Sequence, residues 1–209
     1  MKGKTIAIIG GGPAGLMAAE VLSASGCDVT VFEAMPTFGR KFLLAGKSGL
    51  NITHSEKYDT FRTRFGSATA RLRPALDEFP PQDIRNWAQG LGTETFVGSS
   101  GRVFPRVMKA SPLLRSWLRR LEHQGVRLMP RHRWIGFEKD GYTFDTAAGL
   151  LLVRADACLL ALGGASWPRL GSDAAWVPWL KARDVRINPF RPANCGFDVA
   201  WSDAFRERF

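Results

Sequence analysis

Thr5-Ile-Ala-Ile-Ile-Gly-Gly-Gly-Pro-Ala-Gly15 is the stretch that decides the fold, together with Val29-Thr-Val-Phe-Glu33 further along the chain. The first stretch predicts an apolar strand that runs into a glycine-rich turn and the start of a helix. The second predicts another strand, which ends in an acid. This order of strand, turn, helix, strand and acid is typical of the βαβ unit that binds dinucleotides.

Several positions of this unit require a particular kind of residue for a physical reason, and the residues present here meet those requirements. Gly10 allows the sharp turn after the strand, Gly12 lets the backbone approach a pyrophosphate, and Gly15 lets the helix pack closely on the sheet. Pro13 lies in the first turn of the helix, where its missing N–H costs nothing. The free N–H groups of that turn would bind the pyrophosphate. Glu33 is placed to accept hydrogen bonds from ribose hydroxyls.

The alternative interpretation is a glycine-rich turn that binds nothing. The glycine pattern alone is weak evidence, because 22 of the 209 residues are glycine. The flanking sequence favours dinucleotide binding instead. It predicts a helix that ends at Gly26 and has an apolar face formed by Leu16, Ala19, Val21 and Leu22.

Length and composition indicate a globular α/β protein of one large domain or one and a half. The chain has 209 residues, of which 45% are hydrophobic and 23% charged. No apolar stretch reaches the roughly 18 residues that a membrane span needs, so we expect a cytoplasmic protein. The three cysteines, Cys27, Cys158 and Cys195, have no CxxC spacing and fit reduced thiols. No Cys/His cluster suggests a metal site.

The formal charge of +10 is concentrated in one segment. Glu122 is the one acid there, among nine basic residues: Arg102, Arg106, Lys109, Arg115, Arg119, Arg120, Arg127, Arg131 and Arg133. Such a segment could bind nucleic acid. We favour an amphipathic helix that starts near Ser111-Pro112, with the arginines on its solvated face. Its predicted apolar face comprises Leu113, Leu114, Trp117, Leu118 and Leu121. We therefore expect no nucleic-acid partner.

The remaining pattern predicts the other elements. Residues 37–53 are glycine-spaced and predict a loop over a ligand, without a regular element, and residues 58–92 predict mainly helix. Antiparallel strands are expected in the region 134–153. The apolar run Ala155-Asp-Ala-Cys-Leu-Leu-Ala-Leu-Gly-Gly164 predicts a buried parallel strand whose glycine pair lies close to a cofactor. Extended structure is expected from Cys195 to Trp201.

Four segments together resemble the family of NAD(P)/FAD-dependent oxidoreductases that includes aminoacetone oxidase and the BaiN-type bile-acid reductase. They are Gly10–Gly15 with Glu33, Gly39–Thr53, Gly101-Arg-Val-Phe-Pro105 and Leu160-Ala-Leu-Gly-Gly-Ala-Ser-Trp-Pro168. Two departures bear on the substrate. The family's Gly-Gly-Arg-Cys is here Lys47-Ser-Gly-Leu50, and its Ala-Thr-Gly-Gly has Leu162 in the second position.

The resemblance implies a Rossmann-like FAD-binding domain over residues 1–188, with a central parallel sheet and a small antiparallel layer. Family members are nearly twice as long. They insert a second domain at about Pro189 and complete the flavin site with a C-terminal segment. The resemblance thus implies that residues 189–209 begin a truncated second domain, and that the chain binds FAD weakly or only in part.

The resemblance also assigns the cofactor-binding residues. The pyrophosphate is expected to lie against Gly10, Gly12, Pro13, Ala14 and Gly15, and the adenosine against Glu33, Ala34 and the backbone of Trp134. Arg40 and Lys41 are expected to bind a phosphate or the ribityl chain. The flavin is expected to contact Gly49, Asn51, Thr53, Ala161, Leu162, Gly163 and Gly164. No catalytic residue follows from the sequence. His54 is the one histidine that follows a proposed flavin loop, and an ordinary surface histidine is the alternative.

The expected function is therefore an FAD-dependent oxidoreductase. It would transfer hydride or electrons through flavin N5 between a small organic substrate and either NAD(P)H or oxygen. There is no second GxGxxG motif, so NAD(P)H would dock transiently as reductant. Two alternatives stay open. One is an NAD-dependent dehydrogenase that uses the same glycine motif, and the other is a non-catalytic module that binds a partner through the basic helix.

Overall fold

The computed structural model describes residues 2–191 and 199–208. The strands are β1 (Thr5–Ile9), β2 (Asp28–Glu33), β3 (Thr53–His54), β4 (Thr95–Val97), β5 (Arg102–Pro105), β6 (Arg127–Pro130), β7 (Arg133–Glu138), β8 (Gly141–Thr146), β9 (Gly149–Val153) and β10 (Ala157–Leu160). The helices are α1 (Pro13–Ala24), α2 (Arg40–Ala45), α3 (Tyr58–Phe61), α4 (Thr69–Glu78), α5 (Pro81–Gly90), α6 (Ala110–His123), α7 (Val177–Lys181) and α8 (Asp203–Arg206), with 3₁₀ helices at Arg62–Ala68 and Pro168–Leu170.

The centre of the fold is a parallel sheet in the order β10-β1-β2-β6. Ile6 of β1 pairs with Ala157 of β10 on one side and with Val29 of β2 on the other. Sequence-distant strands thus meet at β1, as a Rossmann-like topology requires. The predicted βαβ unit, the parallel strand before the glycine pair and the predicted fold class are confirmed. The expectation that this strand is buried was wrong, because β10 is an edge strand of the sheet and its residues are half-buried or exposed.

Side chains of the parallel sheet alternate between two cores, because successive residues of a strand point to opposite faces. Ile6 and Ile8 lie in the core on the helical side, and Ala7 and Ile9 lie in the core on the other side. Both faces are therefore covered, which explains why β1 is an uninterrupted apolar run.

Helices α1 and α6 cover the first face. Leu16 and Ala19 of α1 are fully buried, whereas Val21 is 59% exposed, so its assignment to the apolar face was wrong. With 3.6 residues per turn, Val21 lies roughly 140–160° around the helix from Leu16 and Ala19, so it faces solvent. On α6, four of the five predicted apolar residues are buried and Leu118 is half-buried. Its Arg115 and Arg119 are exposed, as predicted for the solvated face.

An antiparallel sheet in the order β7-β8-β9 covers the second face. Phe144 of β8 is fully buried and stacks on Phe32 of β2, with 4.4 Å between ring centroids. Trp134 of β7 is also buried in this core, next to Trp179 of α7. The antiparallel strands predicted in this region are confirmed.

A third sheet, β3-β5-β4, contacts helix α5, and residues 37–53 lead into it. The prediction that this stretch lacks a regular element was wrong, because Arg40-Lys-Phe-Leu-Leu-Ala45 forms α2. These are good helix formers between two glycines. Helix α2 packs on α6, where a Cβ on Gly46 would lie 2.5 Å from Ala110 Cβ. The glycine spacing therefore marks close helix packing as well as loops.

Residues 58–92 are mainly helical, as predicted, in α3, a 3₁₀ helix, α4 and α5. Most of the predicted extended segment from Cys195 to Trp201 lies outside the described residues, and Val199 to Trp201 form no strand. No helix within residues 2–191 and 199–208 is long and apolar enough to cross a membrane. The same residues contain no His/Cys/Asp/Glu group that could hold a metal ion.

Candidate functional site

A groove opens at the carboxyl ends of β1, β2 and β10, where ligands bind in open α/β sheets. Its floor is the turn between β1 and α1, and its walls come from α2, from β7 and from the segment that follows β10. The residues that line it include Gly10, Gly12, Pro13, Glu33, Ala34, Arg40, Lys41, Arg133, Trp134, Ala161, Leu162, Gly163, Ser172, Asp173, Trp176 and Trp179.

The glycines of the β1–α1 turn serve two different purposes. A Cβ on Gly10 would lie 2.2 Å from the carbonyl oxygen of Ala161, and one on Gly15 would lie 1.9 Å from the carbonyl oxygen of Gly10. These two positions are glycine because the backbone passes too closely for a side chain. A Cβ on Gly12 would meet no atom within 4 Å. Gly12 therefore leaves open space at the N-terminus of α1.

Glu33 ends β2 beside this turn and holds the turn through its carboxylate. Oε2 accepts a hydrogen bond from the Gly11 N–H at 2.8 Å, and Oε1 accepts one from the Met35 N–H at 2.8 Å. An ionised carboxylate has about four acceptor positions. Two therefore remain for hydroxyl donors of a ligand in the groove.

Arg40 and Lys41, the first two residues of α2, bring positive charge to the groove. Neither forms an ion pair with a carboxylate within residues 2–191 and 199–208. The Nε of Arg40 is buried without a hydrogen-bond partner, and its Nη1 donates to Thr37 Oγ1 at 3.3 Å. Lys41 Nζ donates to the hydroxyls of Ser172 and Ser166. Because a buried unpaired donor is costly, this corner favours an anionic ligand.

The other end of the groove is aromatic. The Trp134 side chain is 4% exposed and its indole N–H donates to the Gly136 carbonyl at 2.7 Å, so it is a core residue that also lines the groove. Trp179 meets it edge to face at 5.0 Å between ring centroids. The indole Nε1 of Trp176 is buried without a partner. A flat apolar group with a polar edge would fit this end.

The structure brings most of the predicted site residues into the groove and leaves others outside it. Eleven of the seventeen line it, and the six that do not are Ala14, Gly15, Gly49, Asn51, Thr53 and Gly164. Gly15 supports the turn from below, as described. Gly164 follows the groove-lining Gly163 and lies near Phe190 instead.

The loop Gly49–Thr53 is held by the motif that contains β5. The Leu50 N–H donates to the Met108 carbonyl at 3.2 Å, and the Ile52 N–H donates to the Val103 carbonyl at 2.9 Å. Thr53 pairs with Val103, which joins β3 to β5. Two of the four family motifs are therefore bonded to each other, and their contact with a ligand stays a prediction.

Both ring nitrogens of His54 are engaged by the backbone. Nδ1 accepts from the Glu56 N–H at 3.1 Å, so Nε2 carries the proton and donates to the Ser100 carbonyl at 3.0 Å. His54 lies outside the groove, in a surface depression with Glu56 and Tyr58. The geometry favours the surface-histidine alternative.

Sequence reasoning missed the groove wall after β10. Leu170, Gly171, Ser172 and Asp173 line the groove, together with Trp176 and Trp179. The sequence signal was the small polar run Gly171-Ser172-Asp173 between two tryptophan-containing stretches, shortly after the glycine pair. Such runs are common in surface turns, and only the fold places this one opposite α2.

Comparison with solved structures shows the fold shared with larger proteins. The chain is similar to THI4 from Thermovibrio ammonificans, with a TM-score of 0.54 and 18% identity over 88% of this chain and 64% of that one. It is also similar to 3-ketosteroid-Δ4-(5α)-dehydrogenase from Rhodococcus jostii RHA1, with a TM-score of 0.55 and 16% identity over 78% of this chain and 46% of that one. It therefore spans less than two thirds of either protein.

Comparison by sequence adds a short relative and a family. Over 37 residues, 18% of this chain and 5% of the other, the chain is 60% identical to the NADP(+)-dependent formate dehydrogenase subunit beta of Moorella thermoacetica. The HI0933-like protein Rossmann domain matches residues 4–199. Because this match covers most of the chain and the groove lies within it, the protein belongs to the HI0933-like family of FAD-dependent oxidoreductases, and the resemblance inferred from its motifs is confirmed.

Proposed function

We propose that the protein is an FAD-dependent oxidoreductase that holds FAD in the groove at the carboxyl ends of β1, β2 and β10. The observation that carries the proposal is that three features lie around one groove. These are a helix N-terminus with open space at Gly12, an acid at the end of β2, and two cations without a carboxylate partner among the described residues. These groups suit the pyrophosphate and the ribose of a dinucleotide, and the tryptophans at the other end of the groove suit its adenine.

The pyrophosphate of FAD would lie over the first turn of α1. Gly12 has no Cβ to keep it away, and the unpaired N–H groups of a helix start attract anions. Arg40 and Lys41 line the same groove, and the buried Nε of Arg40 lacks a partner that a phosphate oxygen would supply. The residues present thus fit a doubly charged linker.

The adenosine would lie between Glu33 and the aromatic end of the groove. The free acceptor positions of the Glu33 carboxylate suit the two ribose hydroxyls, while Ala34 leaves room beside them. Trp134 through its backbone, with Trp176 and Trp179, would line the adenine, and Trp176 Nε1 has a hydrogen to donate. The charge of Glu33 would disfavour a ribose 2′-phosphate at this position.

The flavin would extend towards the end of β10. Ala161, Leu162 and Gly163 line that part of the groove, and Gly49, Asn51, Thr53 and Gly164 remain proposed flavin neighbours. When bound, the flavin supplies hydride transfer at its N5, while the chain positions it and excludes water. We further propose that the enzyme acts on a small organic substrate in the cytoplasm, with NAD(P)H or oxygen as the redox partner. We also propose that the FAD-binding domain comprises residues 1–188 and that a second domain begins at residue 189.

The test is a cofactor titration of the purified protein. We expect FAD to bind weakly or substoichiometrically, with quenching of the FAD or tryptophan fluorescence on binding and a flavin absorption band in the protein equilibrated with FAD. FAD itself should then be released by heat and identified by chromatography. A protein that stays colourless in excess FAD but gives a difference spectrum with NAD(H) would overturn the proposal in favour of an NAD-dependent dehydrogenase. Binding of neither would favour a non-catalytic module, and Arg115→Glu with Arg119→Glu should then abolish partner binding.

A further inference from the structure

A short segment after β10 connects the two walls of the groove, and we call residues 166–173 the strap. It is a tight loop, because Trp167 and Ser172 pair with each other and the Leu170 and Gly171 N–H groups donate back within the loop at 2.9 Å. Residues 170–173 line the groove directly. A ligand that fills the groove would therefore lie against the strap.

The first attachment of the strap is to α2. Lys41 Nζ donates to Ser172 Oγ at 2.9 Å and approaches Ser166 Oγ at 3.4 Å. Ser172 is only 3% exposed, so this is a charge-assisted hydrogen bond shielded from water. Its loss would leave the Lys41 ammonium without its shortest hydrogen bond. This attachment is the stronger of the two.

The second attachment is to the opposite wall. Asp173 Oδ2 lies 3.8 Å from Arg133 Nη1 on β7, and both side chains are more than a third exposed. An exposed ion pair at this distance contributes little. Between the two attachments the strap touches the end of β2, since a Cβ on Gly171 would lie 2.7 Å from Met35 Cγ. Met35 is the residue whose N–H binds Glu33.

We propose that Ser172, and to a lesser extent Asp173, are positioning residues that fasten the strap across the groove and slow the release of the bound dinucleotide. Ser172 acts through Lys41 and Asp173 acts through Arg133. The inference rests on the proposed function, because it takes FAD as the ligand that the strap retains. Release then requires the strap to detach from α2.

The experiment measures the rate at which FAD leaves the protein, by fluorescence after dilution. We expect Ser172→Ala to release FAD at least tenfold faster than the wild type, and Asp173→Asn about threefold faster. Ser99→Ala, an exposed serine far along the chain, is the matched control and should release FAD at the wild-type rate. A wild-type release rate in Ser172→Ala would overturn the proposal.

A double-mutant cycle separates the positioning role from a general loss of structure. In a Lys41→Met background, Ser172→Ala should change the release rate by less than twofold, because the contact through which Ser172 acts is already gone. An equal effect in both backgrounds would mean that Ser172 does not act through Lys41, which contradicts the proposal. Circular dichroism of each variant verifies that it is folded.

Amide hydrogen exchange in the ligand-free protein separates the failure of this inference from that of the proposed function. If the wild type takes up no FAD, the proposed function is wrong, and the exchange experiment still tests the fastening. We expect the Trp167, Gly171 and Ser172 amides to exchange faster in Ser172→Ala than in the wild type or Ser99→Ala. Equal exchange rates of these amides in all three proteins would contradict the proposal that Ser172 fastens the strap.

Discussion

Substitutions at two glycines of the β1–α1 turn should affect ligand binding and folding separately. We expect Gly12→Ala to lower the affinity for FAD at least tenfold, because its new Cβ would enter the space where the pyrophosphate approaches. The fold should tolerate the change, since φ of Gly12 is −82° and a Cβ there meets no protein atom within 4 Å. The free energy of unfolding should change by less than about 0.5 kcal/mol. Equilibrium titration with FAD and urea unfolding measure the two effects.

Gly15→Ala is the matched control for that variant. Its Cβ would lie 1.9 Å from the Gly10 carbonyl oxygen, which belongs to the backbone and cannot rotate away. We expect a loss of about 3 kcal/mol or more in the free energy of unfolding. If Gly12→Ala bound FAD as tightly as the wild type, the pyrophosphate would not lie at this helix terminus.

Asp156 stabilises the start of β1 in a pH-dependent manner. Hydrogen bonds from the Thr5 N–H and hydroxyl, and from Lys4, lower the pKa of Asp156 from 3.8 to about 2. Since the folded state holds this carboxyl ionised more strongly than the unfolded state, its contribution is complete above about pH 5 and is lost as the pH falls towards 2. Asp156→Asn should therefore be less stable than the wild type at pH 6.

Urea unfolding between pH 6 and pH 3 tests this linkage. The stability difference between the wild type and Asp156→Asn should shrink as the pH falls, because protonation removes the same interaction that the substitution removes. Asp140→Asn, at an exposed turn, should follow the wild type throughout. A difference that stays constant over this range would show that the ionised carboxylate is not the cause.

At the level of elements, one acid joins three helices. Glu20 of α1 accepts hydrogen bonds from the indole N–H of Trp87 on α5 at 3.1 Å and of Trp117 on α6 at 2.6 Å. Arg120 of α6 donates to its other oxygen at 2.7 Å. Both partners of this ion pair are largely buried, with 27% and 14% of their side chains exposed. The three helices are therefore fixed relative to one another through one carboxylate.

We expect Glu20→Gln to reduce the free energy of unfolding by about 2–4 kcal/mol, because it leaves the Arg120 charge without its partner in a low-dielectric site. Glu122→Gln, an exposed acid on α6, should change it by less than about 0.5 kcal/mol. Urea unfolding followed by tryptophan fluorescence measures both. Equal stability of the two variants would indicate that the helices are held by apolar packing alone.

At the scale of the whole molecule, ion pairs between distant elements leave the basic segment with fewer unpaired cations than its composition suggests. Four of the nine basic residues between Arg102 and Arg133 have acidic partners, namely Arg106 with Glu94, Arg120 with Glu20, Arg127 with Asp28 and Arg133 with Asp173. Two of these acids, Glu20 in α1 and Asp28 in β2, lie far away in sequence from their basic partners. The basic segment between Arg102 and Arg133 is thus partly neutralised by the fold.

We therefore expect at most weak, non-specific binding to nucleic acid. A labelled duplex or single strand retained on a filter at low salt should be lost at about 0.15 M salt, as counterion release predicts for a few phosphate contacts. Retention at that concentration, with dependence on the nucleic-acid sequence, would contradict the expectation. Lysozyme, another basic protein, serves as the reference for non-specific retention.

The parts of this structure that could be predicted from sequence are those whose interactions are between residues close together in the chain. The βαβ unit was predictable, because its strand, turn and helix signals are local and agree with one another. Helix α2 was missed because its glycines indicated loops, whereas Gly46 serves a contact with Ala110 on another helix. The strap was missed for the same reason, since Ser172 acquires its role from Lys41, which is 131 residues away.

The position of β1 between β2 and β10 has a consequence for the synthesis of the chain. Ile6 and Ile9 pair with Ala157 and Leu160, so β1, one of the two inner strands of the sheet, acquires its second neighbour only after about 150 further residues have been made. At about 5–20 residues per second, the nascent chain therefore carries an apolar, half-paired β1 for roughly 8 to 30 seconds. During that interval the unpaired edge of β1 is open to aggregation and to chaperones.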